Sequence, residues 1–131
     1  MNTHAAPAIL VAEDDFLIRS AIVDVLTDAG FAVVEMDRAD SALDFLRTHA
    51  GEVQALFTDV NMPGPMDGLE LARRTHAAFP WIAIIVASGR PLPSRDSLPP
   101  ASRFLAKPYN LLALPGQLCA LLHGERRDQA R

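Results

Sequence analysis

The chain has 131 residues and a formal net charge of −4, and half of its residues are hydrophobic while 21% are charged. These values suit one domain that folds without disulfides, and they exclude a disordered chain. No apolar run reaches the ~18 residues that a membrane helix needs, which excludes a membrane-spanning chain. The acidic balance carries no basic stripe, which argues against nucleic-acid binding, and the N-terminus has no secretory signal, which predicts a cytoplasmic protein.

The first half of the chain alternates strand-like apolar runs with helical periodicity. Residues 8–12 form an unbroken apolar run, typical of a strand buried on both faces of a parallel sheet. Asp15 can cap a first helix that Gly30 ends, and a second strand over 31–35 and a second helix over 39–50 follow. The apolar positions of the first helix are Ile18, Ile22, Val25, Leu26 and Ala29.

The second half continues this alternation. Residues 53–58 predict a third strand that ends at Asp59. After a loop rich in proline and glycine, Asp67 can cap a third helix that Pro80 stops. A fourth strand is predicted over 81–87 and a fifth over 103–106.

This order of elements predicts an α/β fold in which helices cover both faces of a doubly wound, five-stranded parallel sheet. Ligands of such sheets bind beyond the carboxyl ends of the strands, so the residues that follow each strand are the candidates for function. These residues are Glu13, Asp14, Asp59, Ser88 and Lys107, the last being the only lysine among 12 basic residues.

The chemistry of this set favours phosphoryl transfer. Neighbouring carboxylates repel one another unless a cation joins them, and Mg²⁺ prefers one or two carboxylates together with water and phosphate oxygens. A lysine can pair with one carboxylate at rest and later with an incoming anion, to which a serine hydroxyl can also donate. An acid cluster, a metal ion, a lysine and a hydroxyl together indicate the transfer of a phosphoryl group to or from a carboxylate.

Five segments at these strand ends resemble the motifs of response-regulator receiver domains. They are residues 11–14, 58–63, 66–68, 86–89 and 104–108. The resemblance covers about residues 8–123 and is specific in residue type, order and spacing. It implies a flavodoxin-like fold with strand order 2-1-3-4-5.

The resemblance also implies a phosphoacceptor and a metal site. Asp59 would take a phosphoryl group from a histidine kinase or a histidine phosphotransfer protein. Mg²⁺ would be held by Asp59, by Asp14 directly, by Glu13 through a water molecule and by the carbonyl of Asn61.

Three further residues match family positions that hold or sense the phosphoryl group. Ser88 and Lys107 would hold its oxygens, and Ser88 would move toward it. Phe104 would then turn inward as the aromatic switch, although a plain core phenylalanine is the equal alternative. The family also hydrolyses its own acyl phosphate slowly, so we expect a phosphoacceptor protein and not a turnover enzyme.

The chain departs from the family pattern at several positions. Residues 64–65 lengthen the loop after Asp59 by one residue. Arg90 occupies a variable position from which it either contacts phosphate or faces solvent. Where receivers have their fourth helix, residues 91–100 contain four prolines, so we expect that helix to be absent or reduced. Pro115 predicts that the last helix starts near Leu114 or kinks there.

We expect an N-terminal extension over 1–7, a receiver domain over 8–123 and a charged C-terminal tail over 124–131. A stand-alone receiver of this kind must pass its signal to an unknown downstream protein. The alternative is a pseudo-receiver, an interaction module that never accepts phosphate. A phosphatase of the aspartyl-phosphate type would want an aspartate at position 61, where this chain has Asn61.

Overall fold

A computed structural model describes residues 7–89 and 94–130, except the side chains of residues 95 and 124–130. Five strands form one sheet in the order β2-β1-β3-β4-β5, and all four strand pairs are parallel. The strands are β1 (Ala8–Ala12), β2 (Ala32–Met36), β3 (Val53–Asp59), β4 (Ala83–Ser88) and β5 (Arg103–Ala106). The predicted fold class and strand order are confirmed.

Four α-helices are present in the described residues. They are α1 (Phe16–Asp28), α2 (Ala39–His49), α3 (Gly68–Ala78) and α4 (Leu114–Ala130), with 3₁₀ turns at Ala50–Glu52, Arg95–Ser97 and Leu111–Ala113. The Asp15 carboxylate accepts from two backbone amides at the start of α1, and the Asp67 carboxylate accepts from one at the start of α3. None of these helices is long and apolar enough to cross a membrane.

The hydrophobic core lies on both faces of the sheet because successive strand residues point to opposite sides. Leu10 and Leu56 belong to the cluster that α2 and α3 cover. Ile9 and Phe57 belong to the cluster that α1 and α4 cover. With both faces buried, the loops at the strand ends are the open parts of the sheet.

The strand register aligns the carboxyl ends of the inner strands. Ala12 lies beside Thr58, Asp59 beside Ala87, and Ser88 beside Ala106. The residues that follow β1, β3, β4 and β5 therefore come together at one edge of the sheet.

The connection between β4 and β5 contains no α-helix in its described part, residues 94–102, as its prolines predict. One 3₁₀ turn, Arg95–Ser97, takes its place, and the side chain of Leu98 packs against the α2/α3 cluster. Arg73 Nη1 of α3 donates to the Ser97 carbonyl oxygen at 3.1 Å. Arg90 lies outside the described residues.

Several predicted boundaries were wrong. β4 begins at Ala83 and not at Trp81, because the Ile82 amide donates to the Phe79 carbonyl and closes a turn before the strand. β2 is shifted by one residue and ends at Met36. Ile18 and Ala29 of the predicted apolar face of α1 are exposed, and only Ile22 and Leu26 of that face are buried.

The last helix follows one of the two predicted alternatives. α4 begins at Leu114, which puts Pro115 in the first turn, where its missing amide costs no hydrogen bond. The helix continues to Ala130 and so includes most of the predicted C-terminal tail.

Candidate functional site

Three carboxylates meet at the carboxyl edge of the sheet. Glu13 and Asp14 follow β1, and Asp59 ends β3, the strand beside it. One oxygen from each side chain lies within 4.8 Å of the other two. Glu13 and Asp59 are only 2% and 4% exposed, whereas Asp14 is exposed. The cluster thus consists of two buried acids and one exposed acid.

Lys107 supplies the positive charge of the site. Its Nζ lies 2.6 Å from Asp59 Oδ1. Its backbone amide donates to the Ser88 carbonyl oxygen at 2.8 Å, which fixes the lysine beside the end of β4. One carboxylate of the cluster is therefore paired within the chain, and the other two are not paired with Lys107.

The remaining predicted residues lie near the same edge. Ser88 ends β4, and its buried Oγ makes no hydrogen bond with any residue that the structure describes. Asn61 is exposed in the loop after β3. Phe104 of β5 is half-buried and packs against the α2/α3 cluster, which agrees with either a core or a switch residue.

Burial controls the protonation of the site. It raises the pKa of Glu13 to about 7, with the charge of Asp59 adding to the shift and the Asp15 amide opposing it. Burial also raises the pKa of Asp59, although Lys107 opposes this. For Lys107, burial alone would lower the pKa, but the carboxylates around it, Asp59 first, outweigh burial and raise it. The lysine stays charged, and the acids favour a second cation.

The donor set fits a hard divalent cation. All three side chains offer carboxylate oxygens, and Asn61 adds an exposed loop carbonyl two residues after Asp59. Mg²⁺ takes oxygen ligands, needs few carboxylates and keeps several waters, which an open acid such as Asp14 permits. The residues present are therefore suitable for Mg²⁺.

Gly68 allows α3 to approach the site closely. Its amide donates to the Val60 carbonyl oxygen at 2.8 Å. A Cβ at this position would overlap the Asp59 carbonyl oxygen and lie 2.6 Å from Thr58 Oγ1. The motif over 66–68 marks this glycine in the sequence, but its steric reason appears only in the structure.

Two other neighbours of the site were missed from the sequence. Arg19 Nη1 donates to the Glu13 carbonyl oxygen at 2.8 Å; the only available signal was its position one helical turn after Asp15. The Tyr109 ring packs edge-on against Phe57 at 5.9 Å. Burial, followed by the charges of Glu13 and Asp59, raises the pKa of Tyr109 to about 12.

Exposed apolar side chains flank the carboxylates. Leu17 and Leu112 are 76% and 80% exposed, and the 3₁₀ turn that carries Leu112 contacts α1. We call these residues the α1 patch, which consists of Phe16, Leu17, Ile18 and Leu112. Large exposed apolar groups beside a polar site are typical of protein interaction surfaces.

Known proteins show the same sequence pattern and fold. A sequence profile described as response regulator receiver domain matches residues 9–116. The response regulator receiver protein CpdR of Brucella abortus (strain 2308) is 35% identical over 118 residues, which cover 87% of this chain and 95% of CpdR. The sensor kinase CckA of the same organism is 33% identical over 130 residues, covering 97% of this chain but 13% of CckA.

A solved structure agrees with the fold. The CheY-like response regulator receiver domain protein of Methanospirillum hungatei JF-1 superposes with a TM-score of 0.80 at 20% identity, covering 95% of this chain and 99% of that protein. The profile match over most of the chain, the similarity to CpdR and the shared fold lead to one assignment. The chain belongs to the receiver domain family of two-component response regulators.

Proposed function

We propose that this receiver is a phosphoacceptor switch in which Asp59 takes a phosphoryl group from a phosphohistidine of a histidine kinase or phosphotransfer protein. The observation that carries the proposal is the contact of 2.6 Å between Lys107 Nζ and Asp59 Oδ1 inside a three-carboxylate cluster. A buried carboxylate that is paired with a lysine and lies beside a site suited to a metal ion is suited to nucleophilic attack on a phosphate.

In the transfer step, an Asp59 oxygen attacks the phosphorus in line while the bond from phosphorus to the donor nitrogen breaks. The imidazole leaves with the electron pair of that bond. Lys107 neutralises charge on the transferring oxygens from a fixed position, so its contribution is mainly electrostatic. Ser88 Oγ, which lacks a partner among the described residues, is available to donate to a phosphoryl oxygen.

The cluster would hold Mg²⁺ through Asp59, Asp14, the Asn61 carbonyl and, by way of water, Glu13. When bound, the ion supplies charge neutralisation for the carboxylates and the phosphoryl oxygens. The buried position of Glu13, together with its hydrogen bond from the Asp15 amide at 3.0 Å, supports a role through water and not direct contact.

Phosphorylation would then change the surface of β4 and β5. A dianion replaces the Asp59 carboxylate, Ser88 moves to bond it, and Phe104 turns into the space beside β4. Phe104 is half-buried, so its ring has room to lie either outward or turned inward beside β4. A downstream protein would read this difference.

The phosphorylated state would end by slow self-hydrolysis. Water attacks the phosphorus, the bond from phosphorus to the Asp59 oxygen breaks, and the carboxylate and inorganic phosphate are released. Hydrolysis returns the free Asp59 carboxylate, and each new cycle needs a phosphoryl group from a partner, so the chain is a signalling protein and not a turnover enzyme.

The α1 patch would dock the phosphodonor protein in the cytoplasm. A donor histidine must approach the carboxyl edge of the sheet, and the patch is apolar, exposed and next to that edge through α1 and the turn at Leu111–Ala113. Apolar contact would supply affinity while the acid cluster receives the phosphoryl group.

The test is incubation with acetyl phosphate and Mg²⁺, followed by intact mass measurement. We expect one phosphoryl adduct on the wild type, none on Asp59→Asn, and a normal adduct on Asp44→Asn, which removes an exposed acid of α2. A wild type that folds but takes no adduct would make the chain a pseudo-receiver that acts through phosphorylation-independent binding.

A further inference from the structure

We infer that Arg19 is a positioning residue that holds the β1–α1 loop in the conformation that the metal site needs. The inference rests on the proposed function of that site, since it concerns the loop that carries Glu13 and Asp14. Arg19 itself touches neither Asp59 nor Lys107 in the contacts of the described residues.

The guanidinium of Arg19 has three partners. Its Nη1 donates to the Glu13 carbonyl oxygen at 2.8 Å, and its Nε donates to Glu35 Oε1 of β2 at 2.9 Å. Its Cζ lies 5.5 Å from the centre of the Phe16 ring. The side chain is only 14% exposed, and its hydrogen bond to the Glu13 carbonyl is partly buried, whereas its bond to Glu35 is exposed. The bond to Glu13 is therefore the better shielded of the two.

These contacts fix the backbone that leads to Asp14. The Glu13 amide donates to the Met36 carbonyl oxygen of β2 at 3.1 Å, and the Glu13 carbonyl accepts from Arg19. Both backbone polar groups of Glu13, the amide and the carbonyl, therefore have hydrogen-bond partners. The next peptide starts at that carbonyl, so its direction sets where the Asp14 carboxylate lies relative to Asp59.

Asp14 depends on this anchor more than Glu13 does. The Glu13 side chain is buried and accepts from the Asp15 amide without help from Arg19. Asp14 is exposed, and no hydrogen bond to its carboxylate is present among the described residues. Loss of Arg19 should thus loosen the exposed ligand while the buried acids stay in place.

The ion pair with Glu35 completes the arrangement. The Glu35 side chain is half-exposed, whereas that of Arg19 is mostly buried. Because ion pairs open to solvent add little stability, the pair mainly orients the Arg19 side chain. Supporting residues of this type commonly change metal affinity by about 10- to 100-fold when they are removed.

The experiment compares Arg19→Met, which keeps an apolar stem, with Arg47→Met, which removes an exposed arginine paired with Asp44 on α2. Mg²⁺ affinity is measured by calorimetry, thermal unfolding is measured without Mg²⁺, and the ¹⁵N order parameter of Asp14 is measured in the metal-free protein. Arg19→Lys serves as the conservative variant if Arg19→Met unfolds.

We expect Arg19→Met to weaken Mg²⁺ binding by about tenfold and to lower the order parameter of Asp14, with Arg19→Lys intermediate and Arg47→Met like the wild type. A lower unfolding temperature with unchanged affinity and unchanged Asp14 order would overturn the inference, because it would show a structural role alone. If the wild type binds no Mg²⁺, the proposed function fails, and the Asp14 order parameter still decides the role of Arg19.

Discussion

Lys107 explains a peculiarity of the composition. Eleven of the 12 basic residues are arginine, and the one lysine sits 2.6 Å from Asp59. An ammonium is compact and can contact a carboxylate and an incoming phosphate in turn, whereas a guanidinium is a wide planar fork. The space beside Asp59 therefore favours lysine at this position over the arginine found elsewhere.

Lys107→Arg should fold but accept phosphate poorly. We expect its initial rate of labelling by acetyl phosphate to fall by about tenfold or more, because the larger group cannot take the same position beside the transferring oxygens. The rate is read by intact mass over time, with Arg47→Lys as the control for a basic-residue exchange. A wild-type rate in Lys107→Arg would show that the lysine is incidental.

Glu13 makes the stability of the metal-free protein depend on pH. Its folded pKa of about 7 exceeds the ordinary value of 4.5, so between these values the folded chain holds a proton that the unfolded chain has released. Stability from this group is therefore present at low pH and is lost as pH rises toward 7. The full effect is on the order of 3 kcal/mol.

Urea unfolding at pH 5 and pH 8 without Mg²⁺ checks this dependence. Glu13→Gln keeps an acceptor for the Asp15 amide but cannot titrate. We expect the variant to lose most of the difference between the two pH values and to be more stable than the wild type at pH 8. An undiminished difference in Glu13→Gln would assign the effect to other groups.

Gly68→Ala should disturb the backbone of Asp59. An added methyl would overlap the Asp59 carbonyl oxygen, and backbone cannot give way as a flexible side chain can. We expect a loss of about 1–3 kcal/mol in the free energy of unfolding. Gly51→Ala is the control, because a Cβ there meets nothing within 4 Å. Equal stability of the two variants would refute the close packing of α3 on β3.

The connection between β4 and β5 shows what proline content can predict at the level of an element. Four prolines exclude a regular helix over 91–100, and the proline-free stretch 94–98 has room for one turn, which the structure has at Arg95–Ser97. The contacts of Leu98 with the core and of Ser97 with Arg73 were not predictable, because they join residues far apart in the chain.

Amide exchange should be fast over most of this connection. Within residues 94–102, the amides of Ser97 and Ser102 donate to backbone oxygens, and they should exchange more slowly than that of Asp96. Hydrogen exchange read by NMR, with Leu56 of β3 as the protected reference, measures this. Protection over two or more consecutive turns would contradict the loss of the helix.

Periodicity and capping residues predicted the elements well, and they predicted ends less well. Asp15, Asp67 and Gly30 indicated where helices begin and end because each acts on its own neighbours. Trp81 was assigned to a strand since its apolar character says nothing about the turn that Ile82 and Phe79 form. The contacts of Arg19 were not predictable because its partners, Glu13 after β1 and Glu35 on β2, come near it only on folding.

At the scale of the whole molecule, one edge of the sheet gathers the chemistry and the interaction surface. Helices cover both faces of the sheet, and the register aligns the carboxyl ends of β1, β3 and β4. The acid cluster, Lys107 and the α1 patch all lie along this edge. This shared edge is why the proposed function places the docking of the donor protein beside Asp59.

The most direct measurement maps the phosphoryl group on the chain. After acetyl phosphate treatment with Mg²⁺, borohydride reduction converts an aspartyl phosphate into homoserine, and tandem mass spectrometry reads its position. The tryptic peptide 48–73 contains both Asp59 and Asp67, so fragmentation distinguishes the acceptor from the cap of α3. We predict homoserine at position 59 alone. Homoserine at another aspartate, or none in a folded and metal-loaded protein, would contradict Asp59 as the phosphoacceptor.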